Sequence, residues 1–452
     1  MAMVGFLQAQ NCTNLPASWR HPESRTDFLE ADFYREIARV LERGKFHLAF
    51  FDDRLAMPDR YGGDHVHTVE HGIRCVKLDP IVTLMTMGMA TSRLGLGATC
   101  STTYYEPFHV ARMFGTIDLM TGGRAAWNVV TSLNDGEAMN MGREGVMEHD
   151  LRYDRADEFM EVVLGHWDSW QDDALIVDKA SGRFGDGAKV HRLDHVGRYF
   201  RSRGPFTVPR SAQGHPVIIQ AGQSGRGRQF AGRWGEVIFV TSPNIAFGKR
   251  GYAGLKEEAA RFGRDPDGMV LCNLVTPVCA ATRAEAEDKM ALIQQLPLEI
   301  DQLSLLAEAL NFDFAAKGLD EELTDEELAS FSGLHTIRDR VIGLSGKKNP
   351  TVREFMQVSH RGRPDDAIVG GPRDVADRLE EMFVERVCDG FVVAATHVPG
   401  GYVDFVEHVV PELQRRGLYH QEYSGATLRE NLGLPRPAIG DWQTASANSP
   451  AG

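Results

Sequence analysis

A glycine-rich turn after an apolar run is the first candidate for a binding site. The run VIIQAG (217–222) predicts a strand, and QSGRG (223–227) leads from it into a predicted helix. Small residues let backbone N–H groups point at an anion, the helix N-terminus adds a favourable dipole, and Arg226 or Arg228 would add charge. The segment lacks the third glycine of a dinucleotide-binding fingerprint and the last glycine of a serine-hydrolase elbow. It is either a phosphate site or an ordinary glycine-rich turn.

Polar residues also close three predicted strands. Asp53, Thr99 and Asn128 each lie near the end of an apolar run. The carboxyl ends of parallel strands share one rim, where binding and catalytic groups collect. His149 and Tyr153 are four residues apart at the start of a predicted helix and therefore share one face. These groups are candidates to contact one phosphate or one ring edge, although each by itself is also typical of a structural or solvated residue.

A cluster of histidines resembles a metal site. His65, His67, Glu70 and His71 lie within seven residues, and imidazole and carboxylate suit zinc or iron. The region reads as a polar loop, and no further ligand spacing is defined. A solvated loop is the favoured interpretation, so we predict no metal.

Short apolar runs alternate with longer amphipathic ones along the chain. The apolar runs lack clean polar alternation, which is typical of parallel strands buried on both faces. About eight such units predict an α/β fold, a closed (β/α)8 TIM barrel with insertions. The predicted strands are 4–8, 47–53, 94–103, 125–131, 217–222, 237–241, 270–280 and 391–395. The predicted helices are 27–46, 78–92, 106–120, 149–170, 226–235, 246–262, 281–296 and 402–416.

Two stretches interrupt this alternation. Residues 171–215 are rich in glycine, arginine and aromatic residues, and residues 297–367 are charged and predicted to be helical. We expect one barrel domain over residues 1–435 that carries these two insertions, with a tail over residues 436–452.

Composition excludes several classes of protein. The 452 residues carry 49 Lys+Arg against 63 Asp+Glu, a net charge of −14, which argues against a nucleic-acid binder. Six scattered cysteines without a C-x-x-C pair indicate reduced thiols of a cytoplasmic protein. The N-terminus has no signal-peptide pattern, and the weakly polar run 80–92 is too short to span a bilayer, so we predict no membrane segment.

Several long segments resemble one enzyme family. They are SWRHPES (18–24), ATCSTTYYEPFHVAR (98–112), MTGGRAAWNVVTSLNDGEAMNMG (120–142), EHDLRYDRADEF (148–159), RGPFTVPRSAQGHPVIIQAGQS (203–224) and FVEHVVPELQRRGLYHQEYSGATLRENLGL (405–434). They are similar to the bacterial-luciferase-like, two-component flavin monooxygenases, in the branch with nitrilotriacetate, EDTA and dibenzothiophene-sulfone monooxygenases. The resemblance covers residues 5–435 and weakens between 297 and 361.

The resemblance implies a cofactor and a partner. The cofactor is reduced FMN, the co-substrate is O2, and a separate NAD(P)H:flavin oxidoreductase supplies the flavin. Members of the family are commonly homodimers or homotetramers. The implied cofactor-binding residues are Asp53, Thr99, His149, Tyr153 and Ser224.

Further residues follow from the same resemblance. Asn128, in the matching WNVVTS run, lies near the flavin ring or the substrate, and Asn128 and His149 are the candidates to tune the cofactor's chemistry by hydrogen bonding. His21 and Phe51 resemble substrate-pocket residues of the sulfone monooxygenase.

The substrate prediction follows the segments that match best. They favour an apolar organosulfur compound such as a sulfone, or a haloaromatic compound. An aminopolycarboxylate is the alternative and requires a cationic cluster, for which Arg54, Arg198, Arg201 and Arg203 are candidates. A dehydrogenase dependent on coenzyme F420, or a non-catalytic flavin-binding barrel, remains open.

Overall fold

Eight parallel strands form a closed barrel, which confirms the fold class that the sequence predicts. The computed structural model describes residues 1–223, 225–359, 362–364 and 366–443. The strands are β1 (Ala2–Leu7), β2 (Leu48–Phe51), β3 (Gly95–Ser101), β4 (Ala125–Val130), β5 (Leu175–Asp178), β6 (Arg183–Gly185), β7 (His195–Val196), β8 (Arg201–Ser202), β9 (Val217–Gln220), β10 (Val237–Val240), β11 (Val270–Val275), β12 (Pro277–Cys279), β13 (Ile368–Gly370) and β14 (Gly390–Ala394). The barrel closes in the order β1-β14-β11-β10-β9-β4-β3-β2, and each of these strands overlaps a predicted one.

Helices surround the barrel and fill its connections. They are α1 (Ala31–Arg43), α2 (Val66–His71), α3 (Pro80–Gly88), α4 (Pro107–Met120), α5 (Asp135–Asn140), α6 (His149–Trp167), α7 (Gly225–Trp234), α8 (Ile245–Arg261), α9 (Arg283–Gln295), α10 (Glu299–Leu310), α11 (Asp325–Ser330), α12 (His335–Ser345), α13 (Val352–Ser359), α14 (Pro372–Val384), α15 (Gly400–Asp404), α16 (Val410–Arg415) and α17 (Leu428–Leu432). On α1, Phe33, Ile37, Val40 and Leu41 form the predicted apolar face, and all four are buried. In the described ranges no helix combines the length and the apolar character that crossing a bilayer requires.

Two predicted elements are divided in the structure. The predicted strand 270–280 becomes β11 in the barrel and β12, which begins at Pro277 and pairs outside the barrel with β13. The predicted helix 402–416 becomes α15, a π-helical turn over Phe405–Val409, and α16. Pro411 has no N–H to continue the α-helical ladder, which accounts for the interruption.

The C-terminal segment closes the amino end of the barrel. Leu428 and Leu434 belong to the same apolar cluster as barrel residues such as Val4 and Ile219. Arg429 forms a double ion pair of 2.6 and 2.8 Å with Glu236, which precedes β10. The opposite, carboxyl end of the barrel is therefore the end left for a site.

The segment after α9 covers part of that carboxyl end. Helices α10 to α13 enclose an apolar cluster of their own around Phe314, Phe331 and Phe355. Arg20, beside the barrel rim, donates hydrogen bonds of 2.6 and 3.0 Å to the fully buried Asp301 of α10. This ion pair anchors the helical cover, defined here as residues 299–359, to the barrel.

Candidate active site

A cavity of about 720 Å³ lies between the carboxyl ends of the strands and the helical cover. Its lining includes five residues that the sequence singles out: Asp53, Thr99, Asn128, His149 and Tyr153. They come from three barrel strands or their ends and from the start of α6. The fold thus places side chains that are up to 100 residues apart in sequence around one space.

Asn128 and Thr99 form the floor of this cavity. They are register partners on β4 and β3, and Asn128 Nδ2 donates to Thr99 Oγ1 over 2.8 Å. Thr99 Oγ1 in turn donates its one proton to the Phe51 carbonyl oxygen over 3.0 Å, so it must accept from the amide nitrogen of Asn128. Asn128 Oδ1 is left buried with no hydrogen-bond partner in the described structure. The floor therefore offers an unsatisfied acceptor to a ligand N–H group.

Asp53 supplies a titratable group beside this floor. Its Oδ1 accepts a hydrogen bond of 2.8 Å from the Arg54 backbone N–H. Burial raises the pKa of Asp53 to about 7, although the nearby Lys77 opposes the shift. Near neutral pH the carboxyl group is thus able either to donate or to accept a hydrogen bond.

The starts of α6 and α7 meet at one side of the cavity, near Tyr153. A Cβ on Gly227 would lie only 2.9 Å from the Tyr153 hydroxyl, and a Cβ on Gly222 would overlap the Gly227 carbonyl. Glycine at both positions therefore permits the close approach of turn and helix. Burial raises the pKa of Tyr153, so its hydroxyl stays protonated and can donate to an anion. Ser224, which the resemblance implies as a cofactor ligand, lies outside the described residues.

The two arginines of the glycine-rich turn do not supply the expected charge. Arg226 pairs with Asp154 at 3.2 Å and with Asp157. Arg228 donates hydrogen bonds of 3.3 and 3.1 Å to the Gln223 carbonyl oxygen. Both guanidinium groups are engaged by protein atoms, and neither arginine lines the cavity.

Sequence reasoning missed Arg152, which does line the cavity. Arg152 is only 8% exposed, and its Nε is buried without a hydrogen-bond partner in the described structure. The spacing contained a signal, because Arg152 is three residues after His149 and therefore lies on the same side of the helix. Arg74 also lines the cavity and was not predicted to do so. It follows residues 65–71, which are predicted to form a polar loop.

The helical cover supplies part of the apolar lining. Leu305, Ala309 and Leu334 face the cavity, together with Glu308. Glu308 of α10 forms an ion pair with Arg54, which follows β2. The cover thus contacts the barrel rim directly at the site, and the Arg54 side chain is engaged there.

His21 and Phe51, the implied substrate-pocket residues, do not line this cavity. On β2, Leu48 and Phe50 face the barrel interior, so the alternation of a strand turns the Phe51 side chain outward onto Tyr34, at 6.0 Å between ring centroids. His21 stacks on His397 with ring centroids 3.7 Å apart. Arg198, Arg201 and Arg203 also lie elsewhere, in the segment around β7 and β8.

Among the residues that the structure describes, two side-chain groups have ligand atoms close enough to hold a metal ion. They are His67, Glu70 and His71, and His21, Glu23 and His397, each with ligand atoms within 4.8 Å of one another. His65 of the predicted cluster belongs to neither. The rings of His21 and His397 are nearly parallel, at 12°, so their lone pairs run side by side rather than converging on one point.

Comparisons with known proteins identify the family and agree with the fold. Residues 13–390 match the family model described as luciferase-like monooxygenase. The chain is 43% identical to a dibenzothiophene-sulfone monooxygenase of Rhodococcus erythropolis over 97% of this chain and 98% of that protein. It is 38% identical to nitrilotriacetate monooxygenase component A of Aminobacter aminovorans, over 93% of each chain. The crystal structure of DmoA from Hyphomicrobium sulfonivorans superposes with a TM-score of 0.88 at 32% identity, covering 99% of this chain and 95% of that one.

Proposed function

We propose a cofactor and a substrate class from the premise that this chain belongs to the luciferase-like monooxygenase family. The cofactor is reduced FMN, the co-substrate is O2, and the substrate is a sulfone-like organosulfur compound or a haloaromatic compound. One observation carries the proposal: a single cavity joins a hydrogen-bonding floor, an end suited to an anion and an apolar cover.

The residues present fit a flavin. The isoalloxazine ring carries N–H and C=O groups, and the buried Asn128 Oδ1 and the Asp53 carboxyl group are acceptors that such a ring would satisfy. Tyr153 and His149 line the cavity on the side where α6 begins, which supports their proposed role as phosphate ligands. When bound, reduced FMN supplies the electrons that activate O2.

The protein itself orients the bound flavin ring and excludes water from the cavity. The Asn128–Thr99 pair holds its amide in one orientation, so a bound ring meets a preorganised acceptor. Leu305, Ala309 and Leu334 shield the cavity, and the Arg54–Glu308 pair holds the cover against the rim. A site closed in this way protects a reactive oxygenating species from water.

The lining favours an apolar substrate over an aminopolycarboxylate. In the described structure the arginines that line the cavity are Arg54, Arg74 and Arg152. Arg54 is paired with Glu308, and Arg152 lies on the side of Tyr153. One remaining arginine is fewer than a polycarboxylate would need, because each buried carboxylate requires a partner.

A flavin reductase completes the reaction. We propose that a separate NAD(P)H:flavin oxidoreductase supplies reduced FMN, since the sequence has no dinucleotide-binding fingerprint and one similar protein is named as component A of its monooxygenase. We also propose a homodimer or homotetramer in the cytoplasm, where the six free cysteines would remain reduced.

A product screen tests the function. Purified protein, a flavin reductase, NADH and FMN are incubated under ¹⁸O₂ with sulfones, haloaromatics and aminopolycarboxylates, and products are analysed by mass spectrometry. We expect one labelled oxygen atom in the product of a sulfone or a haloaromatic, and none when the reductase is omitted. No labelled product from either class would overturn the substrate proposal, and turnover with reduced F420 in place of FMN would overturn the cofactor proposal.

A further inference from the structure

Arg152 is a buried cation without a carboxylate partner among the described residues. Its Nη1 donates to the Ser132 carbonyl oxygen, its Nε has no partner, and no carboxylate of the described residues lies within ion-pair distance. Two other buried arginines have more partners: Arg233 pairs with two carboxylates at 3.1 and 2.8 Å, and Arg124 donates five hydrogen bonds. Arg74, which also lines the cavity, likewise has a buried Nε without a partner, but its side chain is less buried than that of Arg152, which follows His149 and precedes Tyr153 on α6.

The location of Arg152 makes its unpaired charge energetically more costly. A buried guanidinium without a counter-ion is unfavourable, and burial lowers the pKa of Arg152 accordingly. Arg152 also lies in the first turns of α6, where the positive end of the helix repels a cation. Glu148 offsets only part of this cost, because its carboxylate caps the helix, accepting hydrogen bonds of 3.0 and 2.9 Å from the Asp150 and Leu151 backbone N–H groups, and does not pair with Arg152. A ligand anion would remove both penalties.

The surroundings indicate which anion. Tyr153 and His149 line the same cavity beside Arg152, and the start of α7 approaches the Tyr153 hydroxyl at Gly227. We propose that Arg152 binds the phosphate monoester of the flavin and sets the preference of the site for FMN over riboflavin. This inference rests on the proposed function, and it assigns to Arg152 the charge that Arg226 and Arg228 do not provide.

Equilibrium binding of two flavins tests the assignment. FMN and riboflavin are titrated, by quenching of flavin fluorescence, into wild type, Arg152→Gln, Arg152→Lys and the matched control Arg155→Gln. Arg155 is one turn further along α6 and donates to the Thr102 carbonyl oxygen without lining the cavity. We expect Arg152→Gln to weaken FMN binding about 10- to 100-fold, the usual worth of a charge-assisted hydrogen bond, and to leave riboflavin binding unchanged. Arg152→Lys should restore part of the loss, and Arg155→Gln should keep the wild-type preference.

A measurement without flavin separates this role from a structural one. Because Arg152 lacks a counter-ion, Arg152→Gln should melt at the same temperature as wild type or higher, whereas loss of a structural arginine would lower it. Inorganic phosphate should raise the melting temperature of wild type and not that of Arg152→Gln.

Each outcome is decisive. If wild type prefers FMN and Arg152→Gln keeps that preference, the Arg152 inference is wrong while the proposed function stands. A lower melting temperature for Arg152→Gln with an equal loss of FMN and riboflavin would also overturn it. If wild type binds neither flavin, the cofactor proposal and this inference are both wrong.

Discussion

The side-chain amide of Asn128 is held against Thr99 by a hydrogen bond of 2.8 Å between register partners on two barrel strands. Because the Thr99 hydroxyl proton is committed to the Phe51 carbonyl oxygen, the amide has one orientation, and its oxygen is the group left for a ligand. The two strands thus prepare an acceptor before any ligand arrives, which spares the ligand part of the cost of ordering the site.

Replacing Thr99 by valine should disrupt the fixed orientation of the Asn128 amide. The Asn128 amide nitrogen would lose its buried partner, which costs about 1–3 kcal/mol. We expect FMN binding to weaken about tenfold, a difference of about 1.4 kcal/mol. Titration of flavin fluorescence measures the effect. Thr99→Ser keeps the hydroxyl and should bind FMN as wild type does; an unchanged affinity in Thr99→Val would contradict the role of the pair.

Asp53 should make the ligand-free protein less stable as the pH rises. Its pKa is about 7 in the folded chain, against about 4 in an unfolded chain, so between these values only the folded state holds the proton. Stability from this group is therefore complete below about pH 4 and is lost as the pH rises towards 7. Asp53→Asn should remove this pH dependence and exceed wild type at pH 8 by about 1 kcal/mol, after allowance for partial solvent screening.

Urea denaturation at pH 5 and pH 8 measures this difference. Asp52→Asn is the matched control, since Asp52 pairs with Lys77 at 2.6 Å and its removal gives no gain at pH 8. If Asp53→Asn and wild type have the same free energy of unfolding at both pH values, the pKa of Asp53 is not raised in the folded chain.

The Arg20–Asp301 pair should control the helical cover. Asp301→Ala leaves the partly buried Arg20 guanidinium, whose side chain is 17% exposed, without its carboxylate, a change that costs about 3 kcal/mol. We expect faster hydrogen exchange over residues 299–310 and a loss of total stability smaller than the local one, because the barrel can stay folded while the cover opens. Hydrogen-exchange mass spectrometry distinguishes local opening of the cover from unfolding of the whole chain.

An exposed ion pair in the same cover provides the control for that change. Arg353 and Asp320 form a double hydrogen bond of 2.7 and 3.0 Å at the surface. Asp320→Ala should cost about 1 kcal/mol or less. Equal exchange in both variants would exclude an anchoring role for Asp301.

Gly227 should be intolerant of a methyl group. In Gly227→Ala the new Cβ would lie 2.9 Å from the Tyr153 hydroxyl, so the ring or the start of α7 must move. We expect FMN to bind several-fold more weakly, with riboflavin affected less. Gly251→Ala, on the surface of α8 with nothing within 4 Å of the added Cβ, should bind FMN normally and gain up to about 1 kcal/mol of stability. Normal FMN binding by Gly227→Ala would show that this contact is dispensable.

Much of the barrel is predictable because its signal is local. Runs such as VIIQAG (217–222) and FVVAA (391–395) are apolar on both faces, and only a parallel sheet covered on both sides buries such strands. The α1 face follows from spacing alone, and it is buried as predicted. The direction of the Phe51 side chain is a separate case: the alternation along β2 turns it toward Tyr34, away from the cavity at the carboxyl ends of the strands, so its role in a substrate pocket stays a prediction.

By itself, the sequence determined the order of strands and helices and the polar residues at their ends, because these depend on spacing along the chain, and it indicated the family through the resemblance of long segments. Only the tertiary structure decided which charges are free. Arg226 and Arg152 both lie near the start of a helix, yet Asp154 and Asp157 neutralise the first, and no carboxylate of the described residues reaches the second. The state of a charged group depends on its burial and on counter-ions from other segments of the chain, and the packing of α6 against α7 brings these together.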